Sequence, residues 1–350
     1  MKNTIVKENL HQLLRETPTR QLDKRTKLVI FSDLHMGNGT VRDDFLKNSK
    51  LFLYVLKNYY LKRKYELILN GDVEELQRFS FNKILRMWEE VYTVFKDFKK
   101  RSAFYKIIGN HDYELMYHKE LNKQLLSAMK FQFDGNDLFI FHGHQGSRFH
   151  ERYHYLSTFI LRYIANPLGI KNYSPAYSSN KRYKVEKNVY EFSSQNKVVS
   201  IIGHTHRPLF ESLSKIDSLK FKIEQLCRDY TVANKIDKKK MKIAIRRHKE
   251  ELQHLYKKKT SVDYRSNIYG DLVIPCLFNS GCVIGKRGIT AIEIADNKIC
   301  LVHWFDKRRS KKYLNYYDTK PKSLGKSNYY RICIKQEHLN YVFTRINLLT

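Results

Sequence analysis

A chain of 350 residues with 42% hydrophobic content is long enough to bury a sizeable core, so a globular protein of one large domain with insertions is expected. Its 65 Lys and Arg against 35 Asp and Glu leave a formal charge of +30, an attractor for polyanions such as a phosphorylated substrate, an anionic lipid surface or nucleic acid. Charge alone does not choose among these, and a lysine-rich genome raises it as well.

No run reaches the roughly 18 apolar residues that a spanning helix needs. The most apolar candidate, Tyr155 to Ile170, contains Arg162 and Pro167, and leaves open only a helix lying on a membrane surface. The first twenty residues show no apolar h-region, so no signal peptide is expected. The five cysteines, Cys227, Cys276, Cys282, Cys300 and Cys333, are odd in number and form no Cys-x-x-Cys, which fits a reducing compartment. A cytoplasmic protein, peripheral at the inner membrane surface, is the expected setting.

In chain order, residues 1–26 read as a polar leader with one helix from Thr4 to Arg15. Five short apolar runs then end in polar residues that bind metals: LVIFSDLH with Asp33 and His35, LILNGD with Asp72, KIIGNHD with Asn110, FIFHGH with His142, and VVSIIGHTH with His204 and His206. Runs rich in Ile, Val, Leu and Phe and closed by Gly or Asn predict buried strands followed by loops. Segments 43–63 and 80–101 have helical composition and give the strand, helix, strand rhythm of a layered α/β fold. Side chains two apart on an extended segment point the same way, so Asp33 with His35, and His204 with His206, are each expected to aim at one point.

Mixed imidazole, carboxylate and amide-oxygen ligands suit Mn, Fe or Zn better than Ca, and no cysteine lies in the five motifs. Two such cations about 3.5–4 Å apart generate a hydroxide at neutral pH and neutralise the attacking and leaving oxygens of an in-line displacement.

The series Asp33 and His35, Asp72, Asn110 with His111 and Asp112, His142 with His144, and His204 with His206 resembles the calcineurin-like metallophosphoesterase superfamily over residues 27–210. The resemblance implies a four-layer α-β-β-α sandwich within a domain of residues 27–310. One cation would sit on Asp33, His35, Asp72 and His206, the other on Asp72, Asn110, His142 and His204, with Asp72 bridging. Two divalent ions are implied, Mn first, with Fe, Zn, Mg or Co as alternatives. His111 is then the catalytic general acid or a phosphoryl contact, and Glu75, three residues after the bridging Asp72, is its partner. Read from its own position, Glu75 equally suits a first-turn helix charge. His144 is open between a supporting residue, a substrate contact and a plain loop histidine.

Residues 148–196 read as a cap insertion mixing Phe149, Tyr153, Tyr155, Phe159 and Tyr163 with Arg148, Arg152 and Arg162. With the wording SDLHMG and GHTHRP, this is similar to the UDP-2,3-diacylglucosamine pyrophosphohydrolase branch. The chain departs from that branch at His111, where the branch carries Arg, and at His144, where the branch carries Asp.

Residues 211–262 read as a second insertion, an antiparallel helical hairpin. Ile216, Leu219, Ile223, Leu226 and Tyr230 step by 3 and 4, as do Met241, Ile245, His248, Leu252 and Leu255. Its second arm, from Lys235 to Lys259, carries 11 Lys or Arg against 3 Asp or Glu. That arm could grip a polyanion, meet a partner, or present a solvated outer face. Residues 276–305 alternate apolar and polar and predict two or three antiparallel strands completing the second sheet. Residues 311–350 form a basic, tyrosine-rich segment, read as a tail or an extra edge.

The expected activity is hydrolysis of a phosphodiester or pyrophosphate, nucleotide-linked or lipid-linked. Alternatives are a nuclease using the hairpin, a phosphomonoesterase akin to protein phosphatases, and a scaffold that uses the fold only for docking.

Overall fold

A computed structural model describes residues 4–23, 25–117, 122–147, 179–212, 215–257, 273–314 and 320–350. Most of the segment read as a cap insertion, 148–178, lies outside the described residues, as do 258–262 of the expected hairpin and 315–319 of the C-terminal segment.

In chain order the strands are β1 Thr19–Gln21, β2 Leu28–Phe31, β3 Glu66–Asn70, β4 Phe104–Ile107, β5 Leu125–Leu126, β6 Ala128–Phe133, β7 Asn136–Phe141, β8 Val199–Ile202, β9 Leu277–Asn279, β10 Ile289–Ala295, β11 Lys298–Asp306, β12 Lys322–Ser323 and β13 Tyr329–His338. The helices are α1 Thr4–Glu16, α2 Ser49–Val55, α3 Phe81–Met87, α4 Glu89–Lys100, α5 Ser179–Gln195, α6 Lys215–Val232, α7 Lys235–Lys257 and α8 Leu339–Leu349. A π-helical turn, Leu56–Leu61, continues α2.

Among the described residues the strands make two mixed sheets, one of eight in the order β12-β13-β11-β10-β2-β3-β4-β5 and one of five in the order β1-β6-β7-β8-β9. Strands β2 to β5 are parallel, as are β7 to β9. Alternation of side chains explains why Leu28–Phe31 is apolar throughout. Leu28 and Ile30 face the core shared with Phe139, Phe141 and Ile201 of the second sheet, whereas Val29 and Phe31 face a separate core with Phe52, Val55 and Val94 of the helices. A strand buried on both faces has no polar face to show.

Three features differ from the sequence reading. Residues of the polar leader join the fold: Val6 and Leu10 enter the core, and Thr19–Gln21 pairs with β6 as an edge strand. Strands β10 and β11 extend the first sheet beside β2, and only β9 joins the second. Alternating hydrophobicity fixes which side chains turn inward but not which sheet the strand pairs with. Cys300 and Cys333, expected as thiols, are joined as a disulfide between the neighbouring strands β11 and β13.

The C-terminal segment supplies β12, β13 and α8. Leu339, Val342, Phe343 and Ile346 of α8 are buried at helical spacing against the same core as α1. Helices α6 and α7 pack on each other along their length. Among the described residues no helix is long and apolar enough to cross a membrane.

Candidate metal centre

Each motif strand ends within three residues of its first ligand type, and the loops after β2 and β3 remain zipped together. Beyond β2 and β3, the backbone N–H groups of Asp33, Leu34 and His35 donate to the carbonyls of Gly71, Asp72 and Asp72 at 3.1, 2.9 and 3.0 Å. Asp33, His35, Asp72, His204 and His206 all adopt left-handed backbone, with φ of 54°, 48°, 52°, 62° and 54°. For residues other than glycine this region is sparsely populated and costs on the order of 1–3 kcal/mol each, so its concentration here marks a site held in place by its surroundings.

Close approach also explains the glycines. A Cβ on Gly109 would lie 2.2 Å from Asp72 Oδ1 and 2.3 Å from its backbone nitrogen, and one on Gly71 would meet the His142 ring at 2.3 Å.

The side chains converge on two points. Asp33, His35 and His206 bring their ligand atoms within 4.8 Å of one another, and so do Asp72, His142 and His204. The paired-ligand expectation therefore holds for Asp33 with His35 and fails for His204 with His206, which divide between the two groups. All four residues have left-handed backbone, so neither pair has the extended geometry on which that expectation rested, and the division of His204 from His206 is the one the family resemblance implied. The groups adjoin: His35 Nε2 is 3.9 Å from both Asp33 Oδ1 and Asp72 Oδ2. Asn110 is buried in the loop after β4, beside His111, whose N–H donates to Asp72 Oδ1 at 2.8 Å.

Several of these atoms are placed as cation ligands would be. Asp33 Oδ1 lies 3.0 Å from His206 Nε2, and His142 Nε2 lies 3.1 Å from Asp72 Oδ2, yet Asp33 Oδ1 and His142 Nε2 are buried without a directed hydrogen bond. His142 donates its Nδ1–H to the Asn70 carbonyl at 2.7 Å, and His35 donates its Nδ1–H to Glu75 Oε2 at 2.9 Å, which turns each Nε2 inward. Mixed imidazole and carboxylate donors of this kind fit divalent first-row ions.

A third group, His35, Glu75 and His111, is of another kind. Both Glu75 oxygens are taken, Oε2 by His35 and Oε1 by His111 Nδ1 at 2.8 Å. Glu75 is buried and sits outside any helix, which removes the first-turn reading. Burial opposes charge on these residues, but the attraction between them wins. Glu75 is held below the ordinary carboxylate range by His111 and His35, and the Glu75 and Asp72 carboxylates push His111 up to about 10. Against the same burial, Asp72 lifts His142 to about 9, and the surrounding histidines pull Asp72 well below its usual range.

The structure adds supports that sequence reading missed. Asp112 receives the N–H of Gly109 at 2.6 Å and of Val73 at 2.7 Å, tying the loops after β3 and β4, and its burial raises it to about 6. Glu186 of α5 accepts from the Thr205 hydroxyl at 2.8 Å and pairs with Arg207, and Asn279 donates to the Gly203 carbonyl and to Thr205 Oγ1, both at 2.9 Å. Only the Gly-Asn-His-Asp wording hinted at Asp112; nothing local singled out Glu186 or Asn279. His144 is half-buried, its ring 5.5 Å from that of His142 and 6.4 Å from that of His204.

Two mixed sheets with paired Asp and His clusters at the ends of parallel strands define an α/β protein with a candidate binuclear metal centre. Residues 26–222 match the calcineurin-like phosphoesterase superfamily domain, and the chain belongs to that superfamily. No curated protein matches the sequence. Among solved structures it is similar to vacuolar protein sorting 29 from Cryptosporidium parvum, with 11% identity over 81% of this chain and 92% of that one and a TM-score of 0.36. It is also similar to a dimetal phosphatase from Danio rerio, with 10% identity over 80% and 96% and a TM-score of 0.34. Membership rests on the family match.

Proposed function

We propose that this chain is a di-metal-dependent phosphoesterase acting on a phosphodiester or pyrophosphate bond. The observation that carries the reading is the pair of adjoining Asp and His clusters, His35 of one lying 3.9 Å from Asp72 of the other, with His111 and Glu75 beside them. In this reading Asp33, His35, Asp72 and His206 would hold one divalent ion, and Asp72, Asn110, His142 and His204 the other. The bound ions, Mn first among the candidates, would supply a nucleophile at neutral pH and neutralise charge on the phosphoryl oxygens.

The chain's own groups do the rest. His111 gives its Nδ1–H to Glu75, so its Nε2 is the position from which a proton can reach the leaving oxygen. Glu75 holds the imidazolium in that orientation and keeps it charged. Asp112 fixes the two loops that carry Asp72 and Asn110. The formal charge of +30 favours a polyanionic substrate, and a nucleotide-linked or lipid-linked ester suits the aromatic and basic wording of residues 148–196.

The test is hydrolysis by chelated protein with Mn added back, across a UDP-linked acyl sugar, generic diesters, phosphomonoesters and single-stranded nucleic acid. Mn should restore activity, and Asp72→Asn or His206→Ala should abolish it. A clean, metal-loaded preparation that cleaves nothing in this panel would overturn the reading. The basic helix α7 favours one rival, a polynucleotide diesterase, whose signature is log-linear weakening of substrate binding as salt rises.

A further inference from the structure

The outward face of α7 carries a combination that neither the catalytic reading nor helix stability uses. Ala244 and His248 are buried on the side that faces the fold, at 1% and 5% exposure. On the opposite side Ile236 and Ile243 stand 70% and 63% exposed, and Val232 at the end of α6 is 87% exposed. Lys239, Lys240, Lys242, Arg246 and Lys249 are exposed around them. With 3.6 residues per turn, Ile236, Lys239, Ile243 and Arg246 lie along one stripe, and Lys242 and Lys249 flank it on one edge. Glu250 is exposed on the same face, Lys240 contacts Asp237 at 3.2 Å, and Glu251 contacts Lys312 at 3.3 Å, so the bases still dominate.

We propose that this face docks the protein on an anionic phospholipid bilayer, with the lysines and Arg246 against the headgroups and Ile236 and Ile243 entering the interface. The isoleucines decide the occupant. A polyphosphate backbone gains nothing from exposed aliphatic side chains, and single-stranded nucleic acid is gripped by aromatics on which bases stack. Tyr256 of α7 is half-buried and lies off this stripe, and the ring on the stripe is the imidazole of His254 at its C-terminal end, short of a platform of successive aromatics. A second copy of the chain would bring like charge against like charge. A bilayer rewards both halves of the pattern, since bases are attracted to anionic headgroups while aliphatic side chains leave water. The proposal stands apart from the catalytic reading and needs no metal.

The experiment is flotation of the full chain with phosphatidylcholine vesicles and with equimolar phosphatidylcholine and phosphatidylglycerol vesicles. Binding is expected to the anionic vesicles alone, weakening with salt. Replacing both isoleucines, Ile236→Ser with Ile243→Ser, should lower partitioning on the order of tenfold, while Ile236→Leu with Ile243→Leu retains it. Replacing Lys239, Lys242 and Arg246 with Gln should lower it on the order of a hundredfold. Unchanged helical circular dichroism and melting temperature in each variant would tie the losses to the surface. The proposal is overturned if the full chain ignores anionic vesicles or if the serine pair binds them as well as the parent. It is equally overturned if a single-stranded oligonucleotide displaces the vesicles and binds with no dependence on the isoleucines, which would make the face a nucleic-acid surface.

Discussion

The buried carboxylate of Glu186 accepts the hydroxyl hydrogen of Thr205 at 2.8 Å and so holds the residue between His204 and His206 from behind. The same helix fixes the start of the excursion that leads to it, since Asn188 donates to the Gly146 carbonyl at 2.9 Å. Both histidines flanking Thr205 have left-handed backbone, so the loop depends on outside support to keep them aimed. Glu186→Gln is expected to weaken Mn binding about tenfold, read by calorimetric titration of chelated protein, and to lower the metal-free melting temperature as well, since Arg207 loses its buried partner charge. Equal affinity in parent and variant would show that Glu186 only packs.

Gly109 and Gly135 make a matched pair of alanine tests. At Gly109 the new Cβ meets the Asp72 backbone and carboxylate, with no room to yield. Gly109→Ala should cost about 1–3 kcal/mol of stability and remove metal binding. Gly135 has φ of 78° with open space around its Cβ, so Gly135→Ala should cost about 1 kcal/mol from backbone strain and leave metal binding intact. Melting curves with and without Mn check both.

Glu75→Gln should move the pH profile of hydrolysis. With Glu75 ionised, His111 is raised and stays protonated to high pH. Removing that charge leaves burial less opposed, so the histidine loses its proton at lower pH. A reaction that needs the protonated form then has its basic limb shifted toward acid. A profile that only scales down, without shifting, would remove His111 from the role of acid.

Away from the centre, burial lowers His303 from 6.5 to about 4. Its ring packs 4.3 Å from that of Tyr313 and stays neutral in the fold, while the unfolded chain takes up the proton first as pH falls. The contribution is therefore complete above about 6.5 and lost progressively down to about 4, by about 3 kcal/mol in all. Urea midpoints measured across that window should fall with acid, and His303→Asn should flatten the decline.

The candidate site was largely legible in the sequence because burial on both faces made the motif strands continuous apolar runs, and their ends named the ligand types. Leu28 to Phe31 is a case in point, every residue apolar and buried. What sequence did not carry was geometry set by distant partners. The left-handed backbone at His204 and His206 has no mark in the motif, and Glu186 shows no local signal because its partners lie 19 and 21 residues away. Thr19–Gln21 is exposed at every position, so as an edge strand it has no hydrophobic pattern to read. Residues 276–305 betrayed their strands but not their sheets, since pairing partners leave no mark on periodicity.

Asp33, His35, Asp72 and Asn110 follow strands of the eight-stranded sheet, and His142, His204 and His206 follow strands of the five-stranded one. Each candidate ion site draws on both, and Asn70 crosses between the layers to the Phe141 carbonyl at 2.9 Å. Neither layer alone owns a complete donor set. Metal capture would then act as a clasp at the seam, reporting closure of the sandwich, and a collapsed chain with its layers undocked should be blind to the ion.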